Sequence, residues 1–241
     1  MKISAYYMVL NEEDWIDLSI KSIYDIVDEI IVVEGACNNA KFMANEKGLS
    51  IDRTEERIRN FKDYNNKIKY IQKGFVNYMI DLKNECLNNL SKDCDYFIVL
   101  SGDEFYKKEE LEYLFKYIEN PEDANIFSVN HILFYRSPFY IKHDPRDMCC
   151  NKIYKKIEDM VYTNTTDDTF ISFTKEKRKI LRFCYTNMYH FSLVKSRKRL
   201  IQKCMWRLNH YGEEKVDFNE GIEPLKWQEI LNMTKKKKKI F

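Results

Sequence analysis

Two neighbouring carboxylates, Asp103 and Glu104, are the residues of this chain best suited to chemistry. They follow Tyr96–Leu100, a short apolar run rich in β-branched and aromatic residues that is typical of a buried parallel strand. Ser101 and Gly102 separate the run from the acids, which places the acids at the carboxyl end of that strand, where open α/β sheets bind ligands. Two oxygen donors on such a turn suit Mg²⁺ or Mn²⁺, ions that neutralise phosphates. The alternative is an acidic surface turn without a ligand.

The elements that must position this turn follow from the spacing of apolar residues. The first half of the chain predicts a βαβαβαβα order, hence a parallel sheet with helices on both faces. Its predicted strands are 3–10, 28–35, 67–72 and 96–100, and its helices are 16–27, 52–64, 76–90 and 107–119. Asn11 to Asp14 are expected to cap the first helix, and 36–50 to form a loop.

The second half has a different pattern. Its predicted strands are 125–135, 151–155 and 179–185, the last extended by 188–191, and its helices are 196–210 and 224–233. The predicted fold is therefore α/β: a mostly parallel sheet flanked by helices, a mixed and more antiparallel second half, and C-terminal helices. No repeat or linker divides the chain, so we expect one domain over 1–241, with a nucleotide-fold first half and a more antiparallel second half.

Composition narrows the class of protein. The 241 residues are 44% hydrophobic and 15% aromatic, which predicts a folded globular chain. The net charge of +2 is not that of a general nucleic-acid binder, although Lys235–Lys239 could touch an anionic surface or form a solvated end. Seven cysteines without a Cys-x-x-Cys motif predict neither a disulfide framework nor a zinc site. With no signal peptide or membrane-length apolar segment, we expect a soluble, cytoplasmic protein.

Five segments together resemble a known family. They are Met8–Glu13 (MVLNEE), Asp28–Glu34 (DEIIVVE), Lys83–Glu85 (KNE), Ser101–Glu104 (SGDE) and Tyr189–Ser196 (YHFSLVKS). Their order and spacing resemble GT-A fold glycosyltransferases, close to family 2 and its relatives. Those proteins have a "KNEE" start, a "DEIIVVD" strand, an "RN" pair, a "DxD" or "DADE" turn and a "YHFS" segment. The resemblance covers roughly residues 1–120 and the single segment near 190. It implies a nucleotide-sugar-binding half at 1–120 and an acceptor half at 121–241.

The resemblance implies a metal-dependent glycosyltransferase that uses a nucleotide-sugar donor, a UDP-sugar in preference to a GDP-sugar, with Mn²⁺ or Mg²⁺ as the cofactor. It implies that Asp103, the last acid of the motif, binds the metal that bridges the donor diphosphate. Ser101 stands where the family has its first acid, which removes one charge from the site. His190 is the candidate for a further metal ligand, because imidazole suits Mn²⁺, and its alternative is a structural histidine.

The donor-binding candidates are Asn11, Glu13, Glu34, Lys83, Asn84, Asp103 and Lys195. Glu34 could accept a hydrogen bond from a nucleobase or cap the next turn, and Lys83 could meet a phosphate or lie solvated on its helix. Asn84 could bind the donor or tie two loops together. Asn11 and Glu13 could border the base or cap a helix. Lys195, like Arg197 and Arg199, could hold phosphate or belong to a solvated face.

The general base that an acceptor hydroxyl needs has no motif here. The candidates are Glu104, which could instead position the acceptor, and four acids of the second half: Asp144, Asp147, Asp167 and Asp168. Whether the transfer inverts or retains the anomeric centre stays open, as does the acceptor, which could be a glycan, a lipid-linked sugar, a protein or a modified nucleic acid. Two alternatives remain: a degenerate, non-catalytic binding module, and a nucleotidyltransferase, against which the glycine-free Asn11–Asp14 segment argues.

Overall fold

The computed structural model describes residues 1–119, 124–142, 148–158, 160–163, 171–172 and 179–211. For residues 171–172, 184, 204 and 207–211 it describes the backbone alone. Several predictions lie outside these ranges: the helix at 224–233, the lysine run at 235–239, and the acids Asp144, Asp147, Asp167 and Asp168.

The first half of the chain alternates strands and helices, as predicted. In chain order the elements are β1 (Ile3–Val9), α1 (Ile16–Ile23), β2 (Glu29–Cys37), a 3₁₀ helix (Asn38–Met43), α2 (Thr54–Arg59), β3 (Ile68–Val76), α3 (Met79–Asn89) and β4 (Tyr96–Ser101). The predicted loop at 36–50 therefore contains the end of β2 and a 3₁₀ helix, and the helix predicted at 52–64 is much shorter.

The second half is richer in strands. Its elements are β5 (Glu104–Phe105), α4 (Lys108–Ile118), β6 (Ile126–Tyr135), β7 (Ser137–Ile141), β8 (Cys149–Lys155), β9 (Val161–Tyr162), β10 (Ile171–Ser172), β11 (Ile180–Leu193) and α5 (Arg197–Tyr211). The two predicted strands at 179–185 and 188–191 form one continuous strand, as the predicted extension implied.

Of the strands in the described ranges, all but β9 and β10 belong to one nine-stranded sheet, and those two pair with each other. Its order is β3-β2-β1-β4-β8-β6-β11-β5, with β7 beside β6. The first four strands of that order are parallel, whereas β8 is antiparallel to both β4 and β6. β11 then runs parallel to β6, and β5 antiparallel to β11. The α/β fold class, with a parallel first half and a mixed second half, is confirmed.

The central strands β1, β2 and β4 are buried on both faces of the sheet, which explains why they read as nearly continuous apolar runs. In β1, Ala5 and Tyr7 join a cluster that includes residues of α1 and α4. Tyr6 points the other way, into a cluster formed with α3, because successive side chains alternate across a strand. The carboxyl ends of β1 and β4, which pair in parallel, consequently lie at one edge of a rigid layer.

The predicted cap of α1 is wrong. The helix begins at Ile16, and neither Asn11 nor any other side chain caps it; the carbonyl of Glu12 accepts from Ile16 N instead, at 3.1 Å. Asn11 has a φ of 58°, in the left-handed region that Asn tolerates better than most residues. The polar segment after β1 is therefore a turn, and its side chains do not cap α1.

The boundary between β3 and α3 also differs from the prediction. β3 runs on to Val76, and α3 starts at Met79, so Val76 belongs to the strand. A register shift against β2 lies between Glu34 and Gly35. This irregularity interrupts the alternation of side chains along β3, and the prediction ended that strand at residue 72 because it relied on this alternation.

Candidate active site

The turn between β4 and β5 carries the acidic pair and is tied to two elements. Ser101, the last residue of β4, donates its backbone N–H to Glu104 Oε2 at 3.1 Å. The carbonyl of Asp103 accepts from Phe191 N of β11 at 2.8 Å. The turn therefore lies between the parallel half of the sheet and β11, and it brings the acids beside residues about 90 positions further along the chain.

The Asp103 carboxylate is buried, with 2% of the residue exposed, and three side chains that can carry positive charge surround it. Lys195 Nζ lies 3.1 Å and Lys203 Nζ 3.9 Å from Oδ2, and His190 Nε2 lies 3.2 Å from Oδ1. Burial by itself would raise the pKa of Asp103, but Lys195, Lys203 and His190 outweigh it and hold that pKa well below its usual range. Asp103 is thus a fixed anion.

Lys195 joins Asp103 to Glu12, whose Oε2 lies 2.8 Å from Lys195 Nζ. Burial would lower the pKa of Lys195, but Asp103 and Glu12 raise it above its usual value. The Glu12 side chain passes directly over Gly102, where a Cβ would lie 2.8 Å from both Cβ and Cγ of Glu12. Glycine is therefore needed in the turn to admit Glu12 to this ion-pair network.

Glu104 forms a separate buried ion pair with Lys152 of β8. Lys152 Nζ lies 2.7 Å from both Oε1 and Oε2, and the two side chains are 12% and 4% exposed, respectively. Burial would lower the pKa of Lys152, but Glu104 raises it. Both oxygens of this candidate base are therefore engaged within the protein.

His190 connects the ion pairs to β6. Its Nε2 faces Asp103, and its Nδ1 lies 2.9 Å from Nε2 of His131. Since a carboxylate only accepts, the Asp103 bond is donated by His190 Nε2–H, and a neutral His190 then accepts from His131. Both His190 nitrogens thus have protein partners.

A cavity of about 710 Å³ opens beside this network, at the carboxyl edge of β1 and β4. Residues of β1, α3, β8 and α5 contribute to its walls. Among the described residues that line it, five are cationic and two are carboxylic: Lys83, Lys152, Lys195, Arg199, Lys203, Glu12 and Glu104. A volume of this size suits a small-molecule ligand, and the excess of positive charge suits an anion.

The predicted Mn²⁺ or Mg²⁺ does not fit the residues present. Asp103 is absent from the cavity wall, whereas Lys195 and Lys203, which contact its carboxylate, line the cavity. Within the described part of the chain no group of three or more His, Cys, Asp and Glu side chains is placed to hold a metal. A dication at Asp103 would have to displace two ammonium groups and the His190 hydrogen bond.

Three of the predicted donor-binding residues line the cavity: Asn11, Lys83 and Lys195. The Asn11 amide also ties loops together, because Nδ2 donates to the carbonyl of Met43 at 2.7 Å and Oδ1 accepts from Ile51 N at 2.8 Å. Lys83 is 6% exposed, and its Nζ lies 5.1 Å from the ring centroid of Tyr162.

The other predicted donor-binding residues are placed in structural contacts. Glu34 accepts from Ser50 N at 2.8 Å and from the hydroxyl of Tyr70. Glu13 accepts from Arg53 at the backbone N and at Nε.

Asn84 fastens α3 to β9. Its Oδ1 accepts from Tyr162 N at 2.8 Å, and its Nδ2 donates to the Tyr162 carbonyl at 3.2 Å. The structure thus contains the contact expected if Asn84 ties two segments together.

Sequence reasoning did not single out Glu12, Lys152 or Lys203 as site residues. A signal existed for Lys203: it follows Arg199 at an interval of four within the predicted helix 196–210, which places these two side chains on one side of that helix. Lys152 had no local signal, because it reaches Glu104 through the pairing of β8 with β4. The base candidates Asp144, Asp147, Asp167 and Asp168 lie outside the described residues.

Comparison with known proteins agrees with this architecture. A family model, "Glycosyl transferase family 2", matches residues 48–196. The structure of S. aureus TarS 1-349 covers 96% of this chain and 78% of its own, at 13% identity and a TM-score of 0.50. The match to TarS 1-349 in complex with UDP-GlcNAc covers 96% of this chain and 70% of the TarS chain, at 15% identity and a TM-score of 0.52. At these identities the likeness establishes the shared GT-A fold alone.

A search of curated proteins found no match. None of the helices that the structure describes is long and apolar enough to cross a bilayer.

Proposed function

This chain belongs to glycosyl transferase family 2, and we propose that it moves a sugar from a nucleotide-sugar donor to a hydroxyl acceptor. The observation that carries the proposal is the cationic cavity at the carboxyl edge of β1 and β4. A nucleotide sugar has an anionic diphosphate, and such ligands bind at this edge of an open α/β sheet. Lysine and arginine side chains supply the charge that a diphosphate needs.

The proposed reaction is a substitution at the anomeric carbon. The bond from that carbon to the diphosphate oxygen breaks, and the electron pair leaves with the nucleoside diphosphate. The acceptor oxygen bonds to the anomeric carbon and releases its proton to a base. Glu104 is not assigned as that base, because Lys152 engages both of its oxygens. Asp147 and Asp168 stay predictions for this role.

We assign the donor to the cavity residues Asn11, Lys83 and Lys195. Lys83 and Lys195 would contact phosphates, and Asn11 would border the base. A UDP-sugar is the first donor to test, because TarS, which shares the fold, has been solved with UDP-GlcNAc. No step of the proposal requires a metal at Asp103, since the ion pairs there leave no suitable set of ligands.

The test is a thermal-shift and hydrolysis survey of UDP- and GDP-sugars with the purified chain. A donor that binds the folded state at about 100 times its dissociation constant stabilises it by about 2.7 kcal/mol, which gives a clear rise in Tm. We expect at least one UDP-sugar to raise Tm and to be hydrolysed slowly without acceptor. If no donor of either class binds, the proposal fails.

A matched pair of variants tests the location of the donor. Lys83→Met removes a buried cation of the cavity, whereas Lys92→Met removes an exposed one outside it. We expect Lys83→Met to weaken donor binding by about tenfold, the loss typical of a charge-assisted hydrogen bond, and Lys92→Met to leave it unchanged. Equal effects of the two changes would place the donor elsewhere.

A second candidate function, a binding module without turnover, is favoured by one observation. Ser101 occupies the position at which the resembling family has its first acid, and its side chain carries no charge to the cavity. Donor binding with neither hydrolysis nor transfer to any of a panel of sugar, lipid-linked and protein acceptors would support this candidate over the transferase.

A further inference from the structure

Lys195 and Lys203 stand between the Asp103 carboxylate and the cavity. Both lysines line the cavity, Asp103 does not, and both Nζ atoms lie within 3.9 Å of Asp103 Oδ2. A ligand that enters from the cavity therefore meets ammonium groups before it meets the carboxylate.

Both lysines are surrounded by carboxylate or hydroxyl oxygens. Lys195 is 5% exposed at its side chain and lies 2.8 Å from Glu12 as well as 3.1 Å from Asp103. Lys203 is 25% exposed at its side chain and also donates to Ser192 Oγ. Both ammonium groups line the cavity, so an anion that enters it can contact them directly.

Lys195 and Lys203 together carry the formal charge of one divalent cation, and Asp103 and Glu12 offset part of that charge at the cavity wall. Two ammonium groups carry two positive charges, and further cations line the same cavity at Lys83, Lys152 and Arg199. Arg199 Nε is buried and has no hydrogen-bond partner among the described residues. A diphosphate would accept hydrogen bonds from such groups without help from a metal.

We propose that Lys195 and Lys203 replace a divalent cation in this chain and bind the donor diphosphate directly, so that donor binding is independent of metal. The inference rests on the proposed function, which supplies the diphosphate. Asp103 then acts as a positioning residue, which holds both ammonium groups at the cavity wall.

The experiment measures UDP binding to the wild-type chain by isothermal titration calorimetry, in EDTA and in MnCl₂. We expect UDP to bind in EDTA with an affinity that MnCl₂ does not increase. UDP binding that occurs only with MnCl₂ would overturn the inference and leave the proposed function standing. No binding of UDP or GDP in either buffer would refute the proposed function as well.

Variants test whether the two lysines are responsible for UDP binding without metal. Lys203→Met leaves the Lys195 ion pairs intact, and Lys195→Met removes them; in EDTA each is expected to weaken UDP binding by about ten- to a hundredfold. Lys198→Met is the matched control, because Lys198 is exposed on α5 and does not line the cavity. Its affinity should equal that of the wild type.

Folding is checked by circular dichroism, because Lys195→Met leaves Glu12 and Asp103 without the lysine that they share. Should that variant unfold, Lys203→Met and the wild-type titration still decide the question. Unchanged UDP affinity in folded Lys203→Met and folded Lys195→Met would contradict the inference.

Discussion

Buried charges dominate this site at the scale of single residues. Asp103 and Glu104 are adjacent in the sequence and nearly inaccessible, yet each has its own lysine partner: Lys195 for the first and Lys152 for the second. Lys152 lies within β8, whereas Lys195 lies between β11 and α5. Removal of one member of such a pair leaves an uncompensated charge, which is more costly than the loss of an exposed ion pair.

The pH dependence of stability is the first prediction, and it concerns Asp103. Its pKa is well below the usual value in the folded chain, so its ionisation stabilises the fold above the unfolded pKa of about 3.9. That contribution is lost as pH falls from about 3.9 towards the folded pKa. Asp103→Asn lacks it, and at about pH 7 we expect a destabilisation of about 3 kcal/mol. Urea denaturation from about pH 7 to about pH 3 measures the free energy of unfolding.

The expected result is that the gap between wild type and Asp103→Asn narrows below about pH 4. The exposed Glu46→Gln change serves as the control and should alter the free energy of unfolding little at any pH. A gap for Asp103→Asn that stayed constant down to about pH 3 would contradict the assignment of a low pKa to Asp103.

The bulge of β3 is the feature that matters most at the scale of elements. Gly74 has a φ of 75°, and a Cβ there would lie 2.6 Å from the carbonyl oxygen of Lys47. Gly35, its partner in β2, would place a Cβ 2.6 Å from the carbonyl oxygen of Gly74 and 2.8 Å from Leu82 Cδ2. The close approach of β2, β3 and α3 therefore depends on two residues without side chains, and β2 and α3 contribute to the cavity wall.

The second prediction is that Gly74→Ala destabilises the fold by about 1–3 kcal/mol. The left-handed backbone is unfavourable for alanine, and the alanine Cβ would clash with the Lys47 carbonyl oxygen. Chemical denaturation measures the change. Gln72→Ala, at a nearby exposed position of the same strand, should change stability by less than about 0.5 kcal/mol. Equal stabilities of the two variants would show that the strand adopts another conformation at the bulge.

The two halves of the chain form one structure at the scale of the whole molecule. Antiparallel pairing of β8 with β4 joins them, with Phe97 opposite Tyr154 and Ile98 opposite Ile153. The larger apolar cluster contains residues from both halves, among them Ile98 and Phe127. We therefore keep the prediction of a single domain, with two functional halves and a shared core.

The third prediction follows from that shared core. A fragment of residues 1–119 loses β8, which pairs with the edge of β4, and the side chains of β6, β8 and β11 that complete the larger apolar cluster. We therefore expect the fragment to show no cooperative unfolding transition. Circular dichroism during urea titration provides the measurement, and the full chain is expected to give a single transition. A cooperative transition of the fragment would mean that the first half is a domain in its own right.

The sequence alone determined the α/β class, the parallel first half and the place of the acidic turn. These features depend on local periodicity and on turn residues, which neighbours in the chain suffice to specify. It also indicated Lys195, because a lysine beside a strand end has a recognisable context. The bounds of β3 and α3 and the cap of α1 were missed, because a bulge and a left-handed Asn are stabilised by contacts with distant loops.

Only the tertiary structure decided what surrounds the acids. Lys152 and Lys203 reach Glu104 and Asp103 across 48 and 100 positions of sequence, through the pairing of β8 with β4 and the packing of α5. Electrostatic energy depends on distance in space and on burial, neither of which is encoded in local spacing. The residue types of the turn indicated a metal site. In the folded chain the Asp103 carboxylate of that turn is instead paired with lysines.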